Sequence, residues 1–159
     1  MRAVVQRAAG GQVRVAGAVV GEFTGPGLVV LVGVTHTDTV LAAVGLANKI
    51  YDMRLFSREH ATAVGVELSD DASRELSAAD LKLPVLVISQ FTLYAETKKG
   101  RRPTWDQAAP GPVAEPLVGA FVQALRDRGV EVATGQFGAD MQVSLVNDGP
   151  VTITVEVDG

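Results

Sequence analysis

The 159-residue sequence contains no cysteine. Disulfide bonds, thiolate nucleophiles and zinc–thiolate sites are therefore excluded, and a reducing compartment is the expected environment. Histidine is scarce as well, since His36 and His60 are the two in the chain and neither lies in a recognisable motif. We interpret each as a surface residue rather than a general base. A metal site would need clustered carboxylates, and we interpret Asp70-Asp71 as an ordinary acidic loop pair, so no metal is expected.

Long apolar runs and nucleotide-binding glycine loops are also missing. No apolar run approaches the roughly 18 residues that cross a bilayer, and Arg7 interrupts the first apolar stretch too early for a signal peptide. We therefore expect a cytoplasmic protein with no membrane partner. Gly10-Gly11 matches neither the P-loop nor the dinucleotide pattern. Together these absences predict a protein that uses no cofactor.

The composition is that of a globular protein, with 47% hydrophobic and 20% charged residues. A formal net charge of −4 argues against a protein that coats nucleic acids nonspecifically. There is a local exception, because four of the fourteen basic residues lie within five positions: Lys98, Lys99, Arg101 and Arg102. Taken alone, this run fits a solvated loop as well as a phosphate contact.

Apolar patterns predict strands and two main helices in a single domain over residues 1–159. Alternating patterns are typical of half-buried strands, and unbroken apolar runs of strands covered on both faces. The predicted strands are residues 2–8, residues 12–23 with a hairpin tip at Ala16-Gly17, Leu28 to Val34, Val85 to Ile88, and a hairpin-like pair from Met141 to Leu145 and from Val151 to Val157. We expect a mixed α/β fold that is sheet-dominant and mostly antiparallel.

The first helix is predicted over residues 39–53, with Thr37 or Asp38 as its N-cap. Its expected core-facing stripe is Leu41, Val44, Asn48, Tyr51 and Leu55. The second helix follows a loop over residues 95–112, with Pro116 in its first turn and Gly129 as its stop. Its expected stripe is Leu117, Ala120, Phe121, Ala124 and Leu125. Residues 57–80 are polar and give no clear pattern.

Two polar segments are unusual for parts of the chain that have a structural role alone. In the first, residues 89–93 (SQFTL), a buried strand ends in side chains that need hydrogen-bond partners. If the strand stays regular, Gln90 and Thr92 share one face, and Ser89 and Phe91 the other. The second, residues 147–150 (NDGP), has the composition of an ordinary turn. Taken separately, each segment has a structural explanation, and neither identifies a reaction.

Together, these segments resemble the paired signatures of the D-aminoacyl-tRNA deacylase (D-tyrosyl-tRNA deacylase) family. The resemblance is carried by Ser89-Gln90-Phe91-Thr92-Leu93 and Asn147-Asp148-Gly149-Pro150-Val151-Thr152, and by residues 1–7, 99–103 and 137–143 in the same order. The SQFTL and GPVT forms favour the D-specific branch over a sister group of tRNA deacylases. The sequence departs at Thr104-Trp105, where the family usually has Ser-Phe, and over residues 57–80.

The resemblance implies an enzyme that hydrolyses the ester bond of D-aminoacyl-tRNA as proofreading in translation quality control. It implies a homodimer with the active site at the subunit interface. A cis Gly149-Pro150 bond would aim its carbonyl oxygens into the pocket of the second copy, and Arg7 would brace that element. The pocket would be lined by Ser89, Gln90, Phe91 and Thr92, with Met141 nearby. Phe137 would contact the terminal adenosine of the tRNA.

The candidate catalytic residues are Gln90 and Thr92. An aminoacyl ester beside a vicinal hydroxyl is already reactive, so oxyanion donors and a positioned water or ribose 2′-OH suffice. A nucleophilic Thr92 is not expected, because no base is visible to activate its hydroxyl. Fixed backbone carbonyls of the Gly-cisPro element would reject L-aminoacyl-tRNA by steric clash, whereas glycyl-tRNA would be accepted.

Beside these motifs, the basic run at residues 98–102 is expected to bind the RNA backbone. One alternative, from a different functional class, stays open. The chain would then be a non-catalytic, dimeric nucleic-acid-binding module built on the same fold, although such a module would have no need of a pocket.

Overall fold

The chain has a mixed, sheet-dominant α/β fold, as predicted, with two consecutive strands at each end and strands and helices in turn between them. The computed structural model describes residues 1–69, 71, 75–98 and 100–159. Its strands are β1 (Arg2–Val15), β2 (Ala18–Gly33), β3 (Arg54–Ser57), β4 (Glu75–Ser77), β5 (Val85–Ser89), β6 (Val132–Thr134) and β7 (Gln142–Glu156). Its helices are α1 (Val40–Asp52), α2 (Arg58–Ala63), α3 (Ala78–Leu81) and α4 (Gly111–Asp127), with a 3₁₀ turn at Phe91–Tyr94. Of the helices described, none has the length and apolarity to span a bilayer.

The main sheet has five strands in the order β6-β5-β2-β1-β7. The long strand β1 pairs antiparallel with both β2 and β7, whereas the short strand β5 pairs parallel with β2 and β6. Val15 pairs with Ala18 across the predicted hairpin tip, which is therefore confirmed. The short strands β3 and β4 form a separate antiparallel pair.

The second half of β2 is covered on both faces, as its unbroken apolar run predicts. Leu28, Val30 and Val32 lie in the larger core cluster, which also contains the buried residues of α1 and α4. Val29 faces the other way, into a smaller cluster with Leu86 and Ile88 of β5. The paired ends of β2 and β5 are therefore fixed by packing on both sides.

The sheet curls so that the start of β2 approaches β6. A Cβ atom added to Gly21 would lie 2.3 Å from the carbonyl oxygen of Thr134, which is far inside van der Waals contact. Glycine is the residue that permits this approach. The curl brings the β6–β7 connection over the smaller core cluster, and Met141 of this connection packs against that cluster.

Helix α1 is where it was predicted, but its cap was predicted wrongly, and of the predicted core-facing stripe Tyr51 alone is buried. The cap is Thr39, whose side chain accepts a hydrogen bond from Ala42 N at 3.2 Å. Asp38 instead accepts from Thr35 N at 2.7 Å. Leu41 is 83% exposed, and the buried residues are Ala42, Ala43, Leu46, Ala47, Ile50 and Tyr51. Alanine adds little to a hydrophobic pattern, yet it packs well where a helix lies close to its neighbours.

Helix α4 begins at Gly111, so Pro116 lies inside the helix and not in its first turn as predicted. Pro112 occupies the first turn, where its missing N–H costs nothing. Gly129, with φ +77°, follows the helix end as predicted. Arg128 donates to Asp52 of α1, from Nη1 to Oδ2 at 3.1 Å and from Nη2 to Oδ1 at 2.5 Å. This pair connects the two main helices.

The predicted hairpin at residues 147–150 is wrong, because β7 runs through it as one strand. Both halves of β7 pair with β1, and the pairing advances two residues on β1, from Gln6 to Ala8, against five on β7. The extra residues of β7 form a bulge. Asn147 Nδ2 donates across it to the carbonyls of Arg7 at 3.1 Å and Val151 at 3.0 Å. The alternating pattern was therefore correctly interpreted as strand. The chain, however, continues in the same direction through residues 147–150 and does not turn back as a hairpin.

Candidate functional site

A cavity of about 560 Å³ opens at the end of β5. Ser89, Gln90 and Phe91 form one side, and the connection from β6 to β7 contributes Phe137 and Met141. The structure thus brings five of the predicted site residues together. The lining is mostly apolar or glycine, and Asp140 is the one titratable side chain among the described residues that line it.

The chain leaves β5 through a tight turn, so the segment does not continue as a regular strand. Gln90 N donates to Val32 O at 2.7 Å, and Leu93 N then donates to Gln90 O at 3.3 Å in the 3₁₀ turn. Gly33 makes room, because a Cβ there would lie 3.1 Å from Gln90 O. Gln90 and Thr92 still meet, since Gln90 Nε2 donates to Thr92 Oγ1.

Thr92 is placed beside the cavity rather than in its lining. The partner of its hydroxyl is an amide N–H donor, which cannot accept a proton. Neither histidine lines the cavity; His36 Nε2 is 3.0 Å from Asp106 O, and His60 contacts Asp148. Among the described residues, no three His, Cys, Asp or Glu side chains cluster closely enough to hold a metal ion.

Small residues position the second side of the cavity. A Cβ on Gly135 would lie 2.5 Å from Met141 Sδ, so glycine leaves the space that the thioether fills. The ring of Phe137 lies against the start of α4, with Cε1 3.7 Å from the position of a Cβ on Gly111. The turn after β6 and the first turn of α4 therefore fix Phe137 and Met141 together.

Trp105 lines the cavity and was not among the predicted site residues. Its ring meets that of Phe91 edge to face, with centroids 5.3 Å apart and planes at 77°. Both side chains remain partly exposed at the rim. The sequence did offer a signal, because the chain's single tryptophan lies three positions after the last residue of the basic run, Arg102. An amphipathic ring at a wet rim is a common binding feature.

The basic run forms an exposed loop at this rim. Glu96 and Thr104 close the loop through two backbone hydrogen bonds of 2.9 and 3.1 Å. Within it, Lys98, Arg101 and Arg102 are exposed, and Lys99 lies outside the described residues. Trp105 comes next after the closing pair, so these charges stand beside the mouth of the cavity.

Arg7, Gly149 and Pro150 do not line this cavity. They meet at the bulge of β7, where the Gly149-Pro150 bond is cis. Arg7 Nη1 donates to Leu55 O at 2.6 Å, and Arg7 Nε lies 3.0 Å from Asp148 Oδ2. The buried Nε–H does not point well at that oxygen, so the contact is an ion pair more than a hydrogen bond. A Cβ on Gly149 would lie 2.6 Å from Arg7 Nη2.

His60 belongs to this second region, and its interpretation as a surface residue was wrong. Its side chain is 16% exposed, and Nε2 lies 2.8 Å from Asp148 Oδ2. The hydrogen bond from His60, with the charge of Arg7 as a smaller cause, holds the pKa of the Asp148 carboxyl below its ordinary value of 3.8. The two residues are 88 positions apart, so no local pattern could have joined them.

Comparison with known proteins identifies the family. Residues 4–156 match the family model described as D-Tyr-tRNA(Tyr) deacylase. A D-aminoacyl-tRNA deacylase from Acidothermus cellulolyticus is 56% identical over 158 residues, covering 99% of this chain and 100% of that protein. The chain belongs to the D-Tyr-tRNA(Tyr) deacylase family.

The deacylase is also similar to further proteins over its full length. A D-aminoacyl-tRNA deacylase from Cutibacterium acnes is 54% identical, covering 99% of this chain and 98% of that protein. The solved structure named c-Myc DNA Unwinding Element Binding Protein is 33% identical, with a TM-score of 0.83 and full coverage of both chains. The resemblance to the family is therefore confirmed, and so is the prediction of an enzyme that hydrolyses an ester bond.

Proposed function

We propose that this deacylase hydrolyses the ester bond of D-aminoacyl-tRNA and of glycyl-tRNA, releasing free amino acid and tRNA and sparing L-aminoacyl-tRNA. The observation that carries the proposal is the cavity, into which Ser89, Gln90, Phe91, Phe137 and Met141 converge in a member of this family. A mostly apolar cavity with a few polar groups suits a small, oriented ligand. As a step in chiral proofreading of tRNA, the reaction belongs in the cytoplasm.

Backbone donors and positioning supply the catalysis in this proposal. Hydrogen bonding within the 3₁₀ turn starts with Leu93 N, so the turn itself provides no partner for the amides of Phe91 and Thr92. We assign these amides to the developing oxyanion. Gln90 orients the Thr92 hydroxyl, which acts as a fixed polar group. A water or the ribose 2′-OH is the nucleophile, since the ester beside a vicinal hydroxyl is already activated.

The second region supplies selectivity through a second copy of the chain. Gly149 and Pro150 lie on β7, which is an outer strand of the main sheet, and they do not line the chain's own cavity. A two-fold, self-complementary dimer would bring the Gly149-Pro150 segment of each copy to the cavity of the other. Backbone carbonyls held there would block the direction of an L side chain, whereas glycine presents nothing to block.

The loop with Lys98, Lys99, Arg101 and Arg102 is assigned to the tRNA backbone. Its described cations are exposed beside the cavity mouth, while the chain as a whole has a net charge of −4. Cations gathered at one place on an acidic protein keep RNA binding local to that place.

A binding module without catalysis is the second candidate. It is favoured by one observation, the likeness to a solved structure whose name describes binding to a DNA unwinding element. Such a module would bind nucleic acid through the basic loop and release no amino acid.

Amino acid release from D-tyrosyl-tRNA, glycyl-tRNA and L-tyrosyl-tRNA tests the proposal. We expect rapid release from the first two and little from the third. Equal turnover of the D- and L-esters would contradict the selectivity. Binding of tRNA with no release from any ester would favour the binding module.

A further inference from the structure

We propose that His60 is a positioning residue that holds the Asp148–Gly149–Pro150 segment through Asp148 and thereby maintains discrimination against L-aminoacyl esters. The link to discrimination rests on the proposed function, whereas the link to the position of the segment does not. His60 does not line the cavity.

The contacts of His60 fix its ring on three sides. Nδ1 lies 3.0 Å from Ser57 N, and Nε2 lies 2.8 Å from Asp148 Oδ2. The ring edge meets the buried Phe56, with centroids 5.3 Å apart and planes at 83°. His60 therefore joins the core, through the start of α2, to the bulge of β7.

The direction of these hydrogen bonds assigns the proton of the neutral ring. A backbone N–H can only donate, so Nδ1 must accept from Ser57 and carries no proton. The proton is then on Nε2, which donates to the Asp148 carboxylate. The start of α2 thus aims a donor at the residue that directly precedes Gly149.

Arg7 and His60 converge on one oxygen of Asp148 and hold the segment from two sides. Arg7 Nε and His60 Nε2 both contact Oδ2, at 3.0 and 2.8 Å. Arg7 also packs against Gly149, where its Nη2 leaves no space for a Cβ. If His60 is removed, Asp148 keeps one cation, which approaches with poor hydrogen-bond geometry, so the segment is left without its better-aligned hydrogen bond.

Two conservative substitutions separate this role from a general effect on folding. In His60→Asn, the side-chain oxygen can replace Nδ1 as the acceptor for Ser57 N, but the side chain is too short to reach Asp148. In His60→Gln, the amide nitrogen can replace Nε2 as the donor to Asp148. Glu59→Gln is the matched control, because Glu59 is the exposed neighbour on the same helix.

The test measures kcat/KM for D- and L-tyrosyl-tRNA in the full-length protein, together with hydrogen exchange of the amides at 147–149 and 151. We expect His60→Asn to lower the D/L ratio about threefold to tenfold, which is the range for one hydrogen bond, and to speed exchange in this segment. His60→Gln and Glu59→Gln should match the wild type in both measurements.

Unchanged exchange and an unchanged D/L ratio in His60→Asn would overturn the proposal. Equal damage in His60→Asn and His60→Gln would also overturn it, because the contact with Asp148 would then not be the cause. Faster exchange in His60→Asn alone, in a protein whose wild type releases no D-tyrosine, would keep the positioning role and reject the proposed function.

Discussion

The cavity at the end of β5 and the bulge of β7 differ in how they use charge. Among its described lining residues, the cavity has one titratable side chain, Asp140. At the bulge, by contrast, Arg7, His60 and Asp148 meet within 3.0 Å of a shared carboxylate oxygen. In our proposal the cavity acts through its shape and its backbone groups, whereas a charged network holds the bulge.

This difference matches the two tasks that we propose for these regions. An activated ester needs positioning and oxyanion donors more than it needs a strong acid or base. A filter that works by clash needs atoms that cannot move away, and several contacts to one segment provide that restraint. Changes in the two regions should therefore have separable effects.

The largest effect is expected from a side chain at Gly149. Gly149→Ala would place a Cβ 2.6 Å from Arg7 Nη2 at a residue with φ +117°, where the backbone alone costs about 1–3 kcal/mol. We expect lower stability and a lower D/L rate ratio, measured by urea unfolding and by amino acid release. Gly25→Ala is the control, since Gly25 has φ +75° and no atom within 4 Å of an added Cβ. A Gly149→Ala protein no less stable than this control would show that the Arg7 contact is unimportant.

The next effect concerns the rim of the cavity. Changing Lys98, Arg101 and Arg102 together to Gln should weaken tRNA binding and reduce its log-log salt slope by about 0.7–0.9 for each phosphate that the loop no longer neutralises. Changing the exposed Lys49, Lys82 and Arg126 to Gln removes the same charge elsewhere and should leave the slope nearly unchanged. The test is the affinity for tRNA measured at several salt concentrations between low and physiological salt. Equal slopes in the two variants would show that the loop is an ordinary solvated surface and does not contact phosphates.

A smaller effect is expected in acid. Because the pKa of Asp148 is lowered in the folded protein, the unfolded state binds more protons near that pKa. The network therefore stabilises the fold above the ordinary value of 3.8, and this contribution disappears as the pH falls through the lowered pKa. Urea unfolding measures the free energy of unfolding at pH 6 and pH 3. Its decrease between these two pH values should be smaller for Asp148→Asn than for the wild type. Asp158→Asn controls for the removal of one exposed carboxylate, and equal losses in all three proteins would count against the network.

The smallest effect is expected at Thr92. With an amide donor as the partner of its hydroxyl, Thr92→Ala should slow release of D-tyrosine by less than about tenfold, below the roughly 10²- to 10⁴-fold contribution of a general acid or base. A substrate that lacks the terminal 2′-OH should react more slowly than this. Thr92→Ser is the control, and a covalent acyl group on Thr92 seen by mass spectrometry would reverse the assignment.

The sequence predicted the elements of the cavity well, because they are local. The buried run at residues 85–88 and the polar residues after it mark the end of β5, and the structure places Ser89, Gln90 and Phe91 at the cavity there. The face of α1 was missed, since its buried side is largely alanine and Leu41 points outward. Periodicity weights large side chains, whereas close packing also selects small ones.

The bulge could not be predicted from the sequence, because long-range pairing determines it. The same alternation before and after Gly149-Pro150 fits two strands of a hairpin or one interrupted strand, and pairing with β1 decides between them. His60 and Asp148 likewise meet only after α2 and β7 are in place. The resemblance to the family implied the cis bond at Gly149-Pro150, which the structure contains, but it gave no indication of His60.

The division between cavity and bulge is tested most directly by the D/L ratio of tyrosine release in one variant from each region. Arg7→Lys keeps the charge but loses the planar fork that contacts both Leu55 O and Asp148. We predict that Thr92→Ala keeps the wild-type ratio, and that Arg7→Lys retains turnover of D-tyrosyl-tRNA while its ratio falls. A folded Thr92→Ala protein with no turnover, or an Arg7→Lys protein with the wild-type ratio, would contradict the account.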